Sequence, residues 1–294
     1  MYIRLNHRSP LLMSPEQSQR LAAAVDDMPA FPKSVQKILE LTRDVDCTPK
    51  DLVQVIDKDP VLTVKVLKVV NSAHYNLPKQ VTSINHAVVF MGFNTIKNLA
   101  LSIAAIGMLP KSNAAGFDVQ QYLLHSLATA GIAKQLASDL DNADPMDCFI
   151  AGLLHDFGKV VFAQFMPDEF RQALEASQRD GSSLHEALQH SIGADHALVG
   201  AMLVEKWRFP PLLVDTIRNQ HGAGLKETDM TTCVFAANQI SKKLQFGFGG
   251  NACIEELPPA MARRLGGNLD AVITRLGDLD ALFEEAQIFS RLES

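Results

Sequence analysis

The chain has 294 residues, with 27 Lys and Arg against 33 Asp and Glu and a formal charge of −6. Apolar residues make up 47% and charged residues 20%, which excludes a disordered chain and leaves room for one large domain or two smaller ones. The acidic balance argues against bulk electrostatic attraction to nucleic acid or to an anionic membrane.

In chain order, residues 1–20 carry Pro10 and Pro15 with little periodicity and are predicted to be a loose arm. Ser34–Arg43 places Val35, Ile38, Leu39 and Leu41 at helical spacing. Thr48-Pro49 and Asp59-Pro60 each read as an N-cap followed by proline at the first helical position. The helix from Pro60 to about Ser72 is apolar around most of its circumference, which predicts a central, buried element. Ser83–Leu109 holds one long helix or two short ones broken around Met91–Asn94. Val119–Leu140 and Cys148–Phe165 are each predicted as one helix. Shorter helices follow at Pro167–Arg179, Ser183–His190, His196–Arg208, Pro210–His221, Met230–Gln245 and Asn268–Ile288. Breaks fall at Gly181-Ser182, Gly222–Gly224 and Gly247–Asn251. The expected fold is an all-α helical array. Its predicted lobes are 21–110 and 117–245, with a helical extension over 246–294 that either packs back on the core or forms an interface.

Cys47, Cys148, Cys233 and Cys253 form no C-x-x-C pair and read as reduced, small buried residues. The most apolar stretch is taken as Asn98–Leu109, shorter than the about 20 residues a membrane span needs. With no leader visible at Met1–Arg8, the reading is a soluble cytoplasmic chain that engages no membrane and no nucleic acid.

The strongest local signal is Gly152-Leu153-Leu154-His155-Asp156-Phe157-Gly158-Lys159. A carboxylate beside an imidazole in an apolar segment is costly unless both are paired or bound to a metal. One reading is a hydrogen-bonded pair that orders the core; the other is a metal site, since imidazole and carboxylate suit zinc, iron or manganese. Gly152 would let another helix approach closely. His125, His196, His221 and Asn238 lie at helix positions before and after the pair. Asn71 and His74 read as polar groups closing a helix, His86 as a hydrogen-bonded core residue, and His185 and His190 as surface. His7 falls in the arm. Lys58, Lys65 and Lys68 read as a solvated face.

This order of residues resembles the HD superfamily of metal-dependent phosphohydrolases, and more closely its HDOD branch of bacterial signalling output domains. The likeness runs over about Leu21–Gln245. It is carried by Met28–Pro32, Ile56–Leu62, Val70–Tyr75, Ile84–Val88, Met91-Gly92, Gly152–Lys159, Asp195–Gly200 and the Trp207 region. The resemblance implies an all-α fold and a regulatory module acting through protein contact. It implies a metal set of His125, His155, Asp156 and Asn238, with His196 and His221 as second-site ligands. Lys159 and Asp156 would be catalytic only in an active enzyme. His221 matches one of two adjacent family histidines, because position 220 is Gln220, and Asn238 stands where the family's last Asp belongs. A neutral amide holds a divalent cation (Fe, Mn, Zn or Mg) less tightly than a carboxylate does. Two further readings therefore stay open: a metal-dependent phosphohydrolase acting on a phosphoester or cyclic nucleotide, and a non-catalytic metal sensor. The partner would be a regulatory protein, and the oligomeric state is left open.

Overall fold

The computed structural model describes residues 14–41, 44, 46–72, 75, 77, 79–221 and 227–290. Every regular element among them is a helix. The first group is α1 (Pro15–Asp27), α2 (Lys33–Leu41), α3 (Pro49–Asp57), α4 (Pro60–Val70), α5 (Ile84–Met91) and α6 (Phe93–Ile106). Next come α7 (Val119–Ala137), α8 (Pro145–Leu154), α9 (Gly158–Phe165), α10 (Pro167–Asp180) and α11 (Leu184–Ile192). The order continues with α12 (His196–Lys206), α13 (Pro211–Arg218), α14 (Asp229–Lys243), α15 (Pro259–Arg264), α16 (Leu269–Leu276) and α17 (Asp280–Ser290).

Local chemistry sets the starts. Asp59 Oδ1 accepts from Leu62 N at 3.0 Å while Pro60 takes the first helical position, where no amide hydrogen is needed. The Thr48 N–H donates to Asp51 Oδ2 at 2.8 Å, one half of a capping box. Asn71 closes α4: its Nδ2 donates to the Leu67 and Val81 carbonyls, each at 2.8 Å, and its Oδ1 accepts from Val81 N at 2.7 Å. Gly92, at φ +83°, separates α5 from α6 in a conformation few side chains tolerate.

The signature segments near α1 and α12 meet in space. Lys206 Nζ binds the carbonyls of Val25 (2.9 Å), Asp26 (2.6 Å) and Met28 (3.2 Å), closing the C-terminus of α1. Trp207 Nε1 donates to Pro29 O at 3.0 Å, and its ring meets Phe31 edge-on at 4.6 Å. Trp207 also contacts Phe157, at 5.5 Å, beside the His-Asp pair.

Several expectations need correction. Helix α1 begins at Pro15, capped by Ser14, so the loose arm does not reach residue 20; residues 1–13, with His7, lie outside the described residues. His74 and Gly222–Gly224 also lie outside them. Helix α4 is not buried all round: Leu62, Val66, Val69 and Val70 face the core while Val61 and Val64 are exposed. The Cys148–Phe165 helix is two, α8 and α9, broken at 155–157. Asn268–Ile288 is also two helices, α16 and α17, because Gly277 takes φ +71° between them. Helix α15 falls within the expected helical extension. His86 is exposed rather than core, and His185 is half-buried rather than surface. Cys148 and Cys233 are buried, but Cys47 and Cys253 are partly exposed. Among the described residues, Pro145–Phe165 is also long and apolar enough by composition to cross a membrane, yet 83% of its most apolar window is buried inside the fold. Of the two arrangements expected for the tail, the structure has the first: α17 packs back on α7 and α6.

Candidate metal centre

Two close helix contacts and a tight turn between them build the site. Helices α7 and α8 pack at Gly152, where an added Cβ would lie 2.9 Å from Ala130 Cα and 3.1 Å from Thr129 O. That approach brings His155, at the end of α8, beside His125 on α7, with ring centroids 5.6 Å apart. The backbone then tightens. Phe157 N bonds Leu154 O (3.0 Å) and Lys159 N bonds Asp156 O (2.9 Å), both spanning three residues instead of four. In a regular helix, neighbouring side chains diverge by about 100°. The tight turn lets His155 and Asp156 share one pocket. Helix α12 crosses α9 at Gly158, where a Cβ would lie 2.0 Å from the His196 carbonyl. Asp195 caps α12 by accepting from Leu198 N at 2.9 Å, and His196 follows it into the site.

Asp156 is the hub. Its Oδ2 lies 2.5 Å from Lys159 Nζ, 3.3 Å from His155 Nε2 and 3.8 Å from His125 Nε2. Its Oδ1 lies 3.1 Å from His196 Nε2, without hydrogen-bond alignment. His196 Nε2 in turn lies 3.0 Å from His221 Nε2. The carboxylate therefore faces one imidazole set with each oxygen: His125 and His155 on one side, His196 and His221 on the other. Burial alone would raise the Asp156 carboxyl. Interaction with His155, the Lys159 ammonium and His196 outweighs it and holds the group well below the ordinary carboxylate value. Burial pushes His125 down to about 3 and His196 down to about 4, and burial also holds His221 well below the ordinary imidazole value.

A divalent cation fits this donor set. The ring nitrogens of His125, Nε2 of His155 and Oδ1 of Asp156 are buried with no hydrogen-bond partner. His155 Nδ1 lies 2.7 Å from Gly152 O, which fixes the tautomer and leaves the Nε2 lone pair for an ion. The depressed imidazoles are neutral, as ligands must be. Against the fit stands Lys159, whose ammonium already neutralises Oδ2.

The structure thus brings together His125, His155, Asp156, Lys159, His196 and His221. Asn238 is buried in mid-α14 with an unpartnered Oδ1, three residues before Ser241, whose hydroxyl meets Thr129 of α7 at 3.1 Å. Gln220 donates to His155 O at 2.6 Å, so it holds the pair's backbone rather than offering a ligand. Sequence reasoning missed the cover. After α14 the chain runs Gly247-Phe248-Gly249-Gly250, and Gly249 O accepts from Lys159 Nζ at 2.6 Å. A Cβ at Gly249 would lie 2.9 Å from His125 Cδ2 and 3.2 Å from Asp156 Oδ2. The glycine run was visible as a break, and its close approach to the site was the signal it carried. Lys242 was missed too; it is half-buried, donates to Cys253 O at 3.1 Å, and desolvation lowers it from the usual lysine value.

The HDOD domain family model matches residues 28–223. The chain belongs to the HDOD family. Among solved structures, an HDOD domain protein of unknown function from Geobacter sulfurreducens shares the fold. Its TM-score is 0.76 at 24% identity, over 94% of this HDOD chain and 98% of that one. A Shewanella amazonensis protein described as a candidate phosphohydrolase gives 0.72 at 25% identity, covering 92% and 98%. An uncharacterized protein of Treponema pallidum is 30% identical over 213 residues, 70% of this HDOD chain and 40% of its own length. Ribonuclease Y of Mycoplasma mycoides is 26% identical over 171 residues, 56% of this chain and 33% of the enzyme. The HDOD chain thus spans less than half the length of these sequence relatives.

Proposed function

We propose that this HDOD chain is a regulatory output module of a bacterial signalling system that acts by contact with another protein. The observation that carries this reading is the closure of the HD site. His125, His155, Asp156, Lys159 and His196 are each at most 2% exposed, and the Gly249 backbone lies directly over His125 and Asp156. Hydrolysis of a phosphoester needs substrate and attacking water to reach an ion together. Here the 246–251 segment stands in the way, and Lys159 supplies the positive charge an ion would bring.

The contact surface is offered elsewhere. Val61 and Val64 on α4 are 67% and 65% exposed, and Val89 and Phe90 on the neighbouring α5 are 73% and 58% exposed. Exposed large apolar groups on adjacent helices suit a protein partner. The net charge of −6 does not favour nucleic acid. The test is cross-linking of the full chain in its native host, with Val64→Asp and Phe90→Asp as comparison. A partner captured by the wild type and lost from both variants, at unchanged helical circular dichroism, supports the reading. Equal capture by both variants counts against this surface.

A second reading, a metal-dependent phosphohydrolase or a metal sensor without turnover, is favoured by the orphaned donors of His125, His155 and Asp156. His125, His155, Asp156 and Asn238 would hold the ion, with His196 and His221 as second-site ligands. An ion bound there would polarise a phosphate oxygen and activate water. Lys159 would hold Asp156 in place and offset developing negative charge.

A further inference from the structure

The geometry points to an outer divalent-cation site of the zinc type, formed by His185, His221 and Glu255, separate from the centre at the His-Asp pair. One ligand atom from each of the three lies within 4.8 Å of the others. The residues come from three separate elements. His185 is in the first turn of α11, His221 follows α13, and Glu255 lies between α14 and α15. Glu255 is beyond the family match, which ends at residue 223.

The fold holds the three side chains next to one another. The His185 and His221 rings stack face to face, with centroids 4.5 Å apart and planes inclined by 4°. The two rings lie in parallel planes, so both bind one ion only once one of them turns about its side-chain bonds, which the half-buried positions allow. His221 Nδ1 is buried with no hydrogen-bond partner. The backbone N–H of Glu255 donates to Gln239 Oε1 at 2.9 Å, and Gln239 is fully buried in α14. Two imidazoles and one carboxylate are the donors that borderline cations such as zinc prefer, and three protein ligands leave a fourth position for water.

Access separates this site from the inner one. His185, His221 and Glu255 are all half-buried, whereas His125, His155, Asp156 and His196 are sealed. An ion reaches the outer site with the 246–251 cover in place. His221 belongs to both clusters, because its Nε2 lies 3.0 Å from His196 Nε2. An outer ion therefore fixes the ring that touches the inner histidines, and it ties the segment after α14 to the α11–α13 region.

The test uses the full chain, stripped by a chelator and titrated with zinc. Calorimetry and metal analysis after desalting count the ions, and cobalt substitution reports their ligand field. Glu255→Gln and His185→Asn should each remove one ion. The loss of affinity should exceed the roughly 100-fold that losing an outer-shell partner alone costs. Asp156→Ala and His125→Gln should leave that ion and its cobalt spectrum in place, and His190→Asn, at an exposed histidine, should change nothing. The half-exposed positions of Glu255 and His185 let those two variants be checked for wild-type melting before titration. No zinc uptake by the wild type overturns the proposal. So does an ion that survives Glu255→Gln and His185→Asn but is lost with Asp156→Ala or His125→Gln.

Discussion

Asp156 sits where one ammonium and several imidazoles meet in a pocket closed to water, and its value to the fold depends on those partners. Removing one member of such a buried pair leaves an uncompensated charge, at a cost of about 3–5 kcal/mol. Asp156→Ala is therefore expected to lose about that much in urea denaturation, whether or not an ion ever binds. Asp156→Leu combined with Lys159→Met removes both charges and should recover most of the loss; a double variant no better than the single one would contradict the pairing. The histidines set a pH window. His125 and His196 fall from the ordinary 6.5 to about 3 and about 4 in the native chain. As pH drops below 6.5 the unfolded chain takes up protons that the native chain refuses, so stability is full above 6.5 and declines towards 3. Asp156 is depressed below 3.8, so its own contribution is present above that value and is lost only as pH falls below it. In chelator-treated protein the urea midpoint should hold above pH 7 and fall between 6.5 and 4. His125→Gln should make that fall shallower; a midpoint that rises on acidification would contradict the burial argument.

At the scale of elements, the site exists because glycines let backbones touch. Gly158→Ala would force its Cβ to 2.0 Å from the His196 carbonyl and push α12 off α9. Gly152→Ala meets Ala130 Cα at 2.9 Å and should open α7 from α8. Overpacking of this kind costs about 1–3 kcal/mol, occasionally more, and Gly158→Ala, which meets rigid backbone at closer range, should be the worse of the two in thermal melts. Local signals were legible before the structure. Thr48-Pro49 and Asp59-Pro60 start helices, Gly92 ends one, and Gly152 marks a close crossing, because caps and small residues act over a few positions. The break at His155–Phe157 was not legible. The apolar period runs through it, and residues 155 and 157 keep right-handed helical dihedrals while the hydrogen bonding tightens. The exposure of Val61 and Val64 was not legible either, since periodicity shows which residues are apolar and not what covers them. Gly277 stood in the sequence, but an unbroken leucine pattern on both sides hid the turn it makes.

At the scale of the whole molecule, residues far apart in the chain converge, and this is what sequence order conceals. His125, the His-Asp pair, His196 and His221 could be grouped by resemblance to a family. His185 and Glu255 could not, because their neighbours in space come from other helices. The tail likewise closes on the core: Leu282 of α17 lies against Gly131 of α7, and Tyr75 Oη donates to Glu285 at 2.7 Å. The glycine run after α14 turns a phosphohydrolase-like centre into a covered one, and the exposed apolar faces of α4 and α5 are the surface we propose for a partner. The most direct test is a turnover assay of the full chain on bis-p-nitrophenyl phosphate and cyclic dinucleotides, with manganese, iron or zinc supplied and Asp156→Asn in parallel. The predicted result is no hydrolysis above that variant with any metal; metal-dependent turnover present in the wild type and absent from Asp156→Asn would contradict it.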